Sequence, residues 1–324
     1  MDAPRLAISI GDPAGIGCEI ALKALKRPEI AKLCRPVLVG HAGLIERCDT
    51  LFGLNLALNV VHTPQAIGKP DDAIDVLHVP GLDLARFAFG TVTAENGRAL
   101  LSYAERAIRL AEAGIVDGVV AAPQNQSAVK AAGIAFDGYP SFLARTTGVA
   151  EDDIFLMVTS EKFRITHVTL HVPLRTALEQ VRRPRVLKAI KATDTALKRM
   201  GVAKPRIGVA GLNPHAGEGG LFGREEIDEI APAVAEARGL GIDAEGPFGA
   251  DVMLAQGGRD AYVVMIHDQG HIPVKLEPGS GGFSIGSPVL FATVAHGSAH
   301  DIAGKGVADP ANMINAIRWS VGAA

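Results

Sequence analysis

Short apolar runs recur along the whole chain. Leu6 to Ile10, Pro36 to Val39, Ala73 to His78, Gly118 to Ala121, Ile154 to Val158, Arg164 to Leu170, Arg206 to Ala210 and Ala261 to Ile266 are apolar or β-branched and bounded by Gly, Pro or charge. That pattern predicts buried strands. Amphipathic stretches separate them. Thr93 caps a predicted helix reaching about Ala113, in which Leu100, Leu101, Ala104, Ile108 and Leu110 recur at helical spacing while Glu105, Arg106 and Arg109 face out. Val186 to Met200 and Arg224 to Ala237 follow the same period, and a final helix is expected over Ala311 to Trp319. Strand and helix in alternation predict an α/β protein with a largely parallel sheet.

The chain has 324 residues, enough for two cores at about 150 residues per domain. There is no fixed-period repeat and no Gly/Ser linker, so ordinary loops would join two domains and leave a cleft where sites form. Lys plus Arg number 32 against 35 Asp plus Glu, which removes the electrostatic footprint of a nucleic-acid binder and favours a small-molecule partner. No window approaches about 18 uninterrupted apolar residues, and no basic leader precedes an apolar stretch, so no membrane association is expected. Cys18, Cys34 and Cys48 are odd in number and fit free thiols in a reducing compartment; the reading is cytoplasmic. Histidine is distributed unevenly. His167, His171, His215, His267, His271, His296 and His300 all follow residue 160, which directs attention to the second half.

Five segments carry candidate chemistry. Arg5 to Glu19 is an apolar strand, a Gly-rich turn and a helix start; it is neither a dinucleotide fingerprint nor a P-loop, so a tight turn and a binding loop both remain open. In HVTLHVPLR (His167 to Arg175), two histidines four apart on a strand lie roughly 13 Å apart and cannot share one ion. His171, beside Pro173 where the strand must end, is the better ligand, and His167 is expected to pack. GLNPHAGEGG presents His215 on a loop after a parallel strand, the end of the sheet where open α/β proteins bind ligands. AYVVMIHDQGH ends an apolar strand in His267 and Asp268, polar groups that need a ligand or a network. If the chain turns helical there, His271 shares the face of His267. Three histidines from three strand ends are a donor set for a catalytic divalent metal, with Asp251 and Asp268 as acidic neighbours. The fifth segment, HGSAHDIAGKGVADP (His296 to Pro310), has the composition of a loop wrapping an extended ligand.

The motifs GDPAGIG, LHVPLR, GLNPHAGEGG, GPFGAD (Gly246 to Asp251) and HDQG (His267 to Gly270) occur in an order that resembles the 4-hydroxythreonine-4-phosphate dehydrogenase (PdxA) family over nearly the whole chain. HGSAHDIAGKGVADP is similar to the cofactor loop of the isocitrate and isopropylmalate dehydrogenase fold group. The resemblance implies two α/β/α domains with mostly parallel sheets about a cleft, one formed by residues 1–125 with 270–324 and the other by 126–269. It implies a homodimer with shared active sites, NAD or NADP, and one divalent metal ion: zinc, or magnesium, manganese or cobalt. Carried over, the metal ligands are His171, His215 and His267, and the catalytic candidates are Asp251, Asp268 and Lys275, the last also a substrate contact. The cofactor residues are His296, Gly297, Ser298, Ala299, Asp301, Ile302 and Asp309.

The departures bear on substrate. Members acting on phosphorylated substrates carry Gly-His-Thr-Glu where this chain has Gly138-Tyr139-Pro140-Ser141, an arginine where it has Phe291, an asparagine at Gly282 and a lysine at Gln126. Cys18 replaces a usual proline. Losing cationic and polar partners together argues against a phosphate, which prefers charge-assisted donors. Tyr139, Pro140, Ser141, Gly282 and Phe291 are therefore expected to line an aromatic substrate pocket, similar to that of the branch acting on the cis-dihydrodiol of terephthalate. The expected reaction is oxidation, with decarboxylation, of a secondary alcohol β to a carboxylate. The alternatives are the family's namesake reaction, a four-carbon phospho-sugar-acid dehydrogenase, and a metal-dependent acid-binding protein without catalysis.

Overall fold

A computed structural model describes residues 3–68 and 72–323. Its strands are β1 (Arg5–Ser9), β2 (Arg35–Gly40), β3 (Leu58–Val61), β4 (Ile74–His78), β5 (Gly118–Ala121), β6 (Phe155–Thr159), β7 (Arg164–His167), β8 (Arg206–Ala210), β9 (Asp243–Phe248), β10 (Ala261–Val264), β11 (Gly281–Ile285) and β12 (Phe291–Val294). The chain divides into two units, Met1–Gly148 with Pro288–Ala324, and Val149–Ser287. The crossings therefore fall later than 125 and 270. The first unit keeps the helices Gln126–Ala131 and Tyr139–Thr147 because they pack on the helix Ala94–Glu112, and the second keeps β11 because it pairs with β6.

In the first unit the strand order is β3-β4-β2-β1-β5-β12, all parallel. The strands read as continuous apolar runs because helices cover their faces. The helix Ala94–Glu112 shows how the pattern acts: the Thr93 hydroxyl accepts the Asn96 N–H at 3.1 Å, and Leu100, Tyr103, Ile108 and Leu110 are buried. The cap is worth about 1 kcal/mol and each large buried side chain roughly 1.5–3 kcal/mol.

In the second unit the order is β11-β6-β7-β10-β8-β9; β7, β10, β8 and β9 run parallel, and β6 is antiparallel to both neighbours. Val158, Phe163, Ile165, Met253, Tyr262, Val264 and Val274 form a core on this sheet. Two strands are shorter than the apolar runs predict. β7 stops at His167, although Val168 and Thr169 still donate to Val264 and Met265 carbonyls. β10 stops at Val264 because extended Ile266 starts the helix His267–Lys275. The expected helix from Arg224 opens as a single π turn, Glu226–Ile230, before Ala231–Gly239. Among the described residues, no helix is long and apolar enough to cross a membrane.

Candidate active site

The parallel strands of the second unit place the predicted histidines at their carboxyl ends. His171 follows β7, His215 follows β8, and His267 opens the helix after β10. The His171 and His267 rings stand side by side, 5.6 Å between centroids. Asp268 Oδ1 lies 2.7 Å from His267 Nδ1. A carboxylate only accepts, so the proton sits on Nδ1 and Nε2 is left with its lone pair, the arrangement that prepares an imidazole as a metal ligand. Burial, and then the neighbouring His267, hold the His171 pKa below its usual value, which favours the neutral ring. The pair fits a divalent cation by donor chemistry. Asp268 is thereby engaged in orienting His267.

His215 belongs to a separate group. Residues 215–219 all have positive φ, including non-glycine His215 (52°), Ala216 (52°) and Glu218 (44°). Left-handed backbone costs such residues roughly 1–2 kcal/mol each, so the run persists only because its surroundings impose it. Buried Glu226 does this from outside: Oε1 accepts the N–H groups of Leu212 and Asn213 at 2.7 and 2.8 Å, and Oε2 accepts Asn213 Nδ2 at 2.9 Å. The winding exposes the His215 ring, with Phe222 at 6.2 Å and Glu218 Oε2 3.5 Å from Nδ1. A Cβ built on Gly249 would lie 3.1 Å from Asp251 Oδ1 and 3.8 Å from His215 Cα, so Asp251 belongs with His215. Among the described residues, no three His, Cys, Asp or Glu side chains converge as ligands of one ion would.

Two further histidines join the first group. The helix after β10 stacks His271 on His267, 3.9 Å between centroids and 7° between planes. His167 is buried, as expected of a packing residue, yet its Nε2 lies 3.1 Å from His271 Nδ1. Burial drives the His167 pKa down to about 3, helped by His271, and burial with His267 takes His271 to about 4. Sequence reasoning missed what holds this corner. Gln269 Oε1 accepts the N–H groups of Met265 and Ile266 while its Nε2 donates to the Gly211 carbonyl, tying the ends of β10 and β8 together. Lys275 is exposed at the other end of the same helix.

Not every expected substrate residue is accessible. Tyr139 and Phe291 are buried against each other at 5.2 Å, and the Tyr139 hydroxyl donates to the Ala122 carbonyl. Burial raises the tyrosine pKa. They pack in the core of the first unit, where each ring gains more from apolar contact than from facing water. Gly282 is likewise buried on β11, paired with Val158. Pro140 and Ser141 are half-buried, and the Ser141 hydroxyl donates to Asp137.

The first unit also holds a cavity of about 470 Å³ lined by Ile16, His296, Gly297, Ala299, Asp309, Ala311 and Asn312. Four expected cofactor residues thus share one cavity. Ser298 is buried, and Asp301 and Ile302 lie elsewhere along the loop. The Gly-rich turn near the N-terminus supports this loop: Ile16 N–H donates to the Ser298 carbonyl, and a Cβ on Gly15 would fall 2.5 Å from Ser298 Cβ. Buried Asp12 lies 2.6 Å from His300 Nε2, while Glu19 accepts the Ala308 N–H and Lys23 donates to the Gly306 and Ala308 carbonyls. The turn is therefore a seat for the loop, held by Asp12 at one end and by Glu19 and Lys23 of the following helix at the other.

Residues 32–320 match the family described as Pyridoxal phosphate biosynthetic protein PdxA. The chain belongs to the PdxA family. It is 42% identical over 97% of its length, and 96% of the relative's, to the 1,2-dihydroxy-3,5-cyclohexadiene-1,4-dicarboxylate dehydrogenase of a Comamonas species. It is 39% identical, over 97% and 96%, to the D-threonate 4-phosphate dehydrogenase of Cupriavidus necator. A solved PdxA structure, the 4-hydroxythreonine-4-phosphate dehydrogenase of Burkholderia phymatum, superposes with a TM-score of 0.89 at 35% identity, covering 100% of this chain and 99% of that one. This PdxA chain is an oxidoreductase acting on CH–OH, with the expected α/β, mostly parallel architecture.

Proposed function

We propose that this PdxA-family dehydrogenase oxidises the secondary alcohol of a non-phosphorylated cyclic cis-dihydrodiol carboxylate, the β-keto acid so formed losing CO₂ to leave an aromatic diol. The observation that carries the reading is the buried Tyr139–Phe291 pair: the family resemblance implies a histidine and an arginine at these positions in phosphate-using members, and here the pair's one hydroxyl is consumed by Ala122. A dianionic phosphate finds no donor there.

His171 and His267 of one copy, with His215 of a second copy, would hold the divalent ion. The cavity beside His296 and Asp309 would hold part of NAD or NADP. Bound there, these groups supply a Lewis acid for the hydroxyl and the enolate charge, and a hydride acceptor. The chain's own residues do the rest. Asp268 fixes the proton of His267 on Nδ1. Asp251, beside His215, would act as base for the hydroxyl proton, and Lys275 would offer a cation to the substrate carboxylate. The three buried thiols, Cys18, Cys34 and Cys48, fit a reducing compartment and support a cytoplasmic enzyme.

Turnover read at the nicotinamide absorbance tests this. We expect kcat/KM for 1,2-dihydroxy-3,5-cyclohexadiene-1,4-dicarboxylate to exceed that for D-threonate 4-phosphate and 4-hydroxythreonine-4-phosphate by about 100-fold or more. Comparable turnover of either phosphorylated acid would overturn the reading.

A further inference from the structure

The nitrogen atoms of the second unit's histidine cluster can be assigned one by one. His167 Nδ1 lies 3.2 Å from the Leu156 carbonyl oxygen. A carbonyl only accepts, so Nδ1 carries the proton. The ring is 2% exposed, and desolvation disfavours a second proton, so Nε2 keeps its lone pair. His271 Nδ1 stands 3.1 Å from that nitrogen. Two bare nitrogens repel at such a distance, so His271 donates from Nδ1, and its own Nε2 is left bare. The close approach depends on Gly270, since a Cβ there would fall 2.3 Å from His167 Nε2.

We propose that His167 is a positioning residue that holds His271 as a hydrogen-bond acceptor, and that His271 Nε2 receives a hydroxyl hydrogen of the diol substrate beside His267. The hydroxyl contact rests on the substrate reading given above. A bare nitrogen accepts an O–H and repels carboxylate or dianionic phosphate oxygens, so the same device selects a polyol at this position over an anion.

Nitrogen-15 spectra of histidine-labelled full-length protein test the chain of tautomers, recorded as purified and after chelation, with His271 assigned through His271→Asn. His271 should carry its proton on Nδ1 in the unmodified protein. In His167→Leu that tautomer should lose its dominance, and KM for 1,2-dihydroxy-3,5-cyclohexadiene-1,4-dicarboxylate should rise about tenfold with a smaller change in kcat. His167→Gln, whose amide both donates and accepts, should restore both readouts. A His271 proton on Nε2, or an unchanged tautomer and KM in His167→Leu, overturns the positioning role whatever the substrate. The expected tautomer together with failure to turn over the diol overturns the hydroxyl contact and the substrate reading, and upholds the role of His167.

Discussion

At the scale of single residues, the most consequential side chain is one without a motif. Glu226 is buried, which opposes ionisation, yet the donors from Asn213 and Leu212 outweigh that and hold its carboxyl below the ordinary 4.5. A carboxyl with a depressed folded-state pKa binds protons less readily when folded. Its contribution is complete above the unfolded value and is lost as pH falls through the folded one. Glu226→Gln replaces an acceptor with a donor facing N–H groups and should cost about 1–3 kcal/mol at neutral pH. Melting curves taken from neutral pH downward should show the gap between variant and wild type closing below about 4.5; a gap that widens with acid contradicts the assignment.

At the scale of elements, the helix His267–Lys275 is set by what its first turn can approach. Gly270→Ala ought to help a helix by about 1 kcal/mol. Here the added carbon would meet His167 Nε2 at 2.3 Å and Ile165 Cγ2 at 2.9 Å, and overpacking of that kind costs roughly 1–3 kcal/mol. The variant should melt lower than wild type and lose most of its kcat/KM; one with wild-type melting and activity would show that the helix slides freely. This corner also marks how far the sequence could be read. Strand ends bearing His171, His215 and His267 were legible because apolar runs stop abruptly at polar residues. Gly270, Gln269 and Glu226 were not, because their partners are distant in sequence and only the folded sheet brings them close. β9 and β11 were missed for a related reason: DAEGPF and GGFSI lack a strand's apolar signature and are held extended by β8 and β6; β3 and β12, LNVV and FATV, are apolar but only four residues long. Tyr139 and Phe291, read from the sequence as pocket lining, form a buried ring pair in the structure, because aromatic character looks the same in a core as at a ligand.

At the scale of the whole molecule, the group containing His171 and His267 and the group containing His215 remain apart within one chain. Beside His215 the apolar Leu221 and Phe222 are 72% and 49% exposed, a surface that a second copy would cover. Mixing tests the shared site. His215→Ala and His267→Ala should each be inactive alone. Unfolded and refolded together, they should regain about a quarter of wild-type turnover, because in the proposed dimer half the pairs would be mixed and each mixed pair would have one complete site. No recovery on mixing would place all ligands in one chain. The left-handed winding at residues 215–219 also has a consequence in time. None of its non-glycine residues favours that conformation alone, so the winding sets only after Leu212, Asn213 and Glu226 have met. We therefore expect His215 to be among the last groups to reach its place, so that on refolding the return of activity should lag the return of sheet signal.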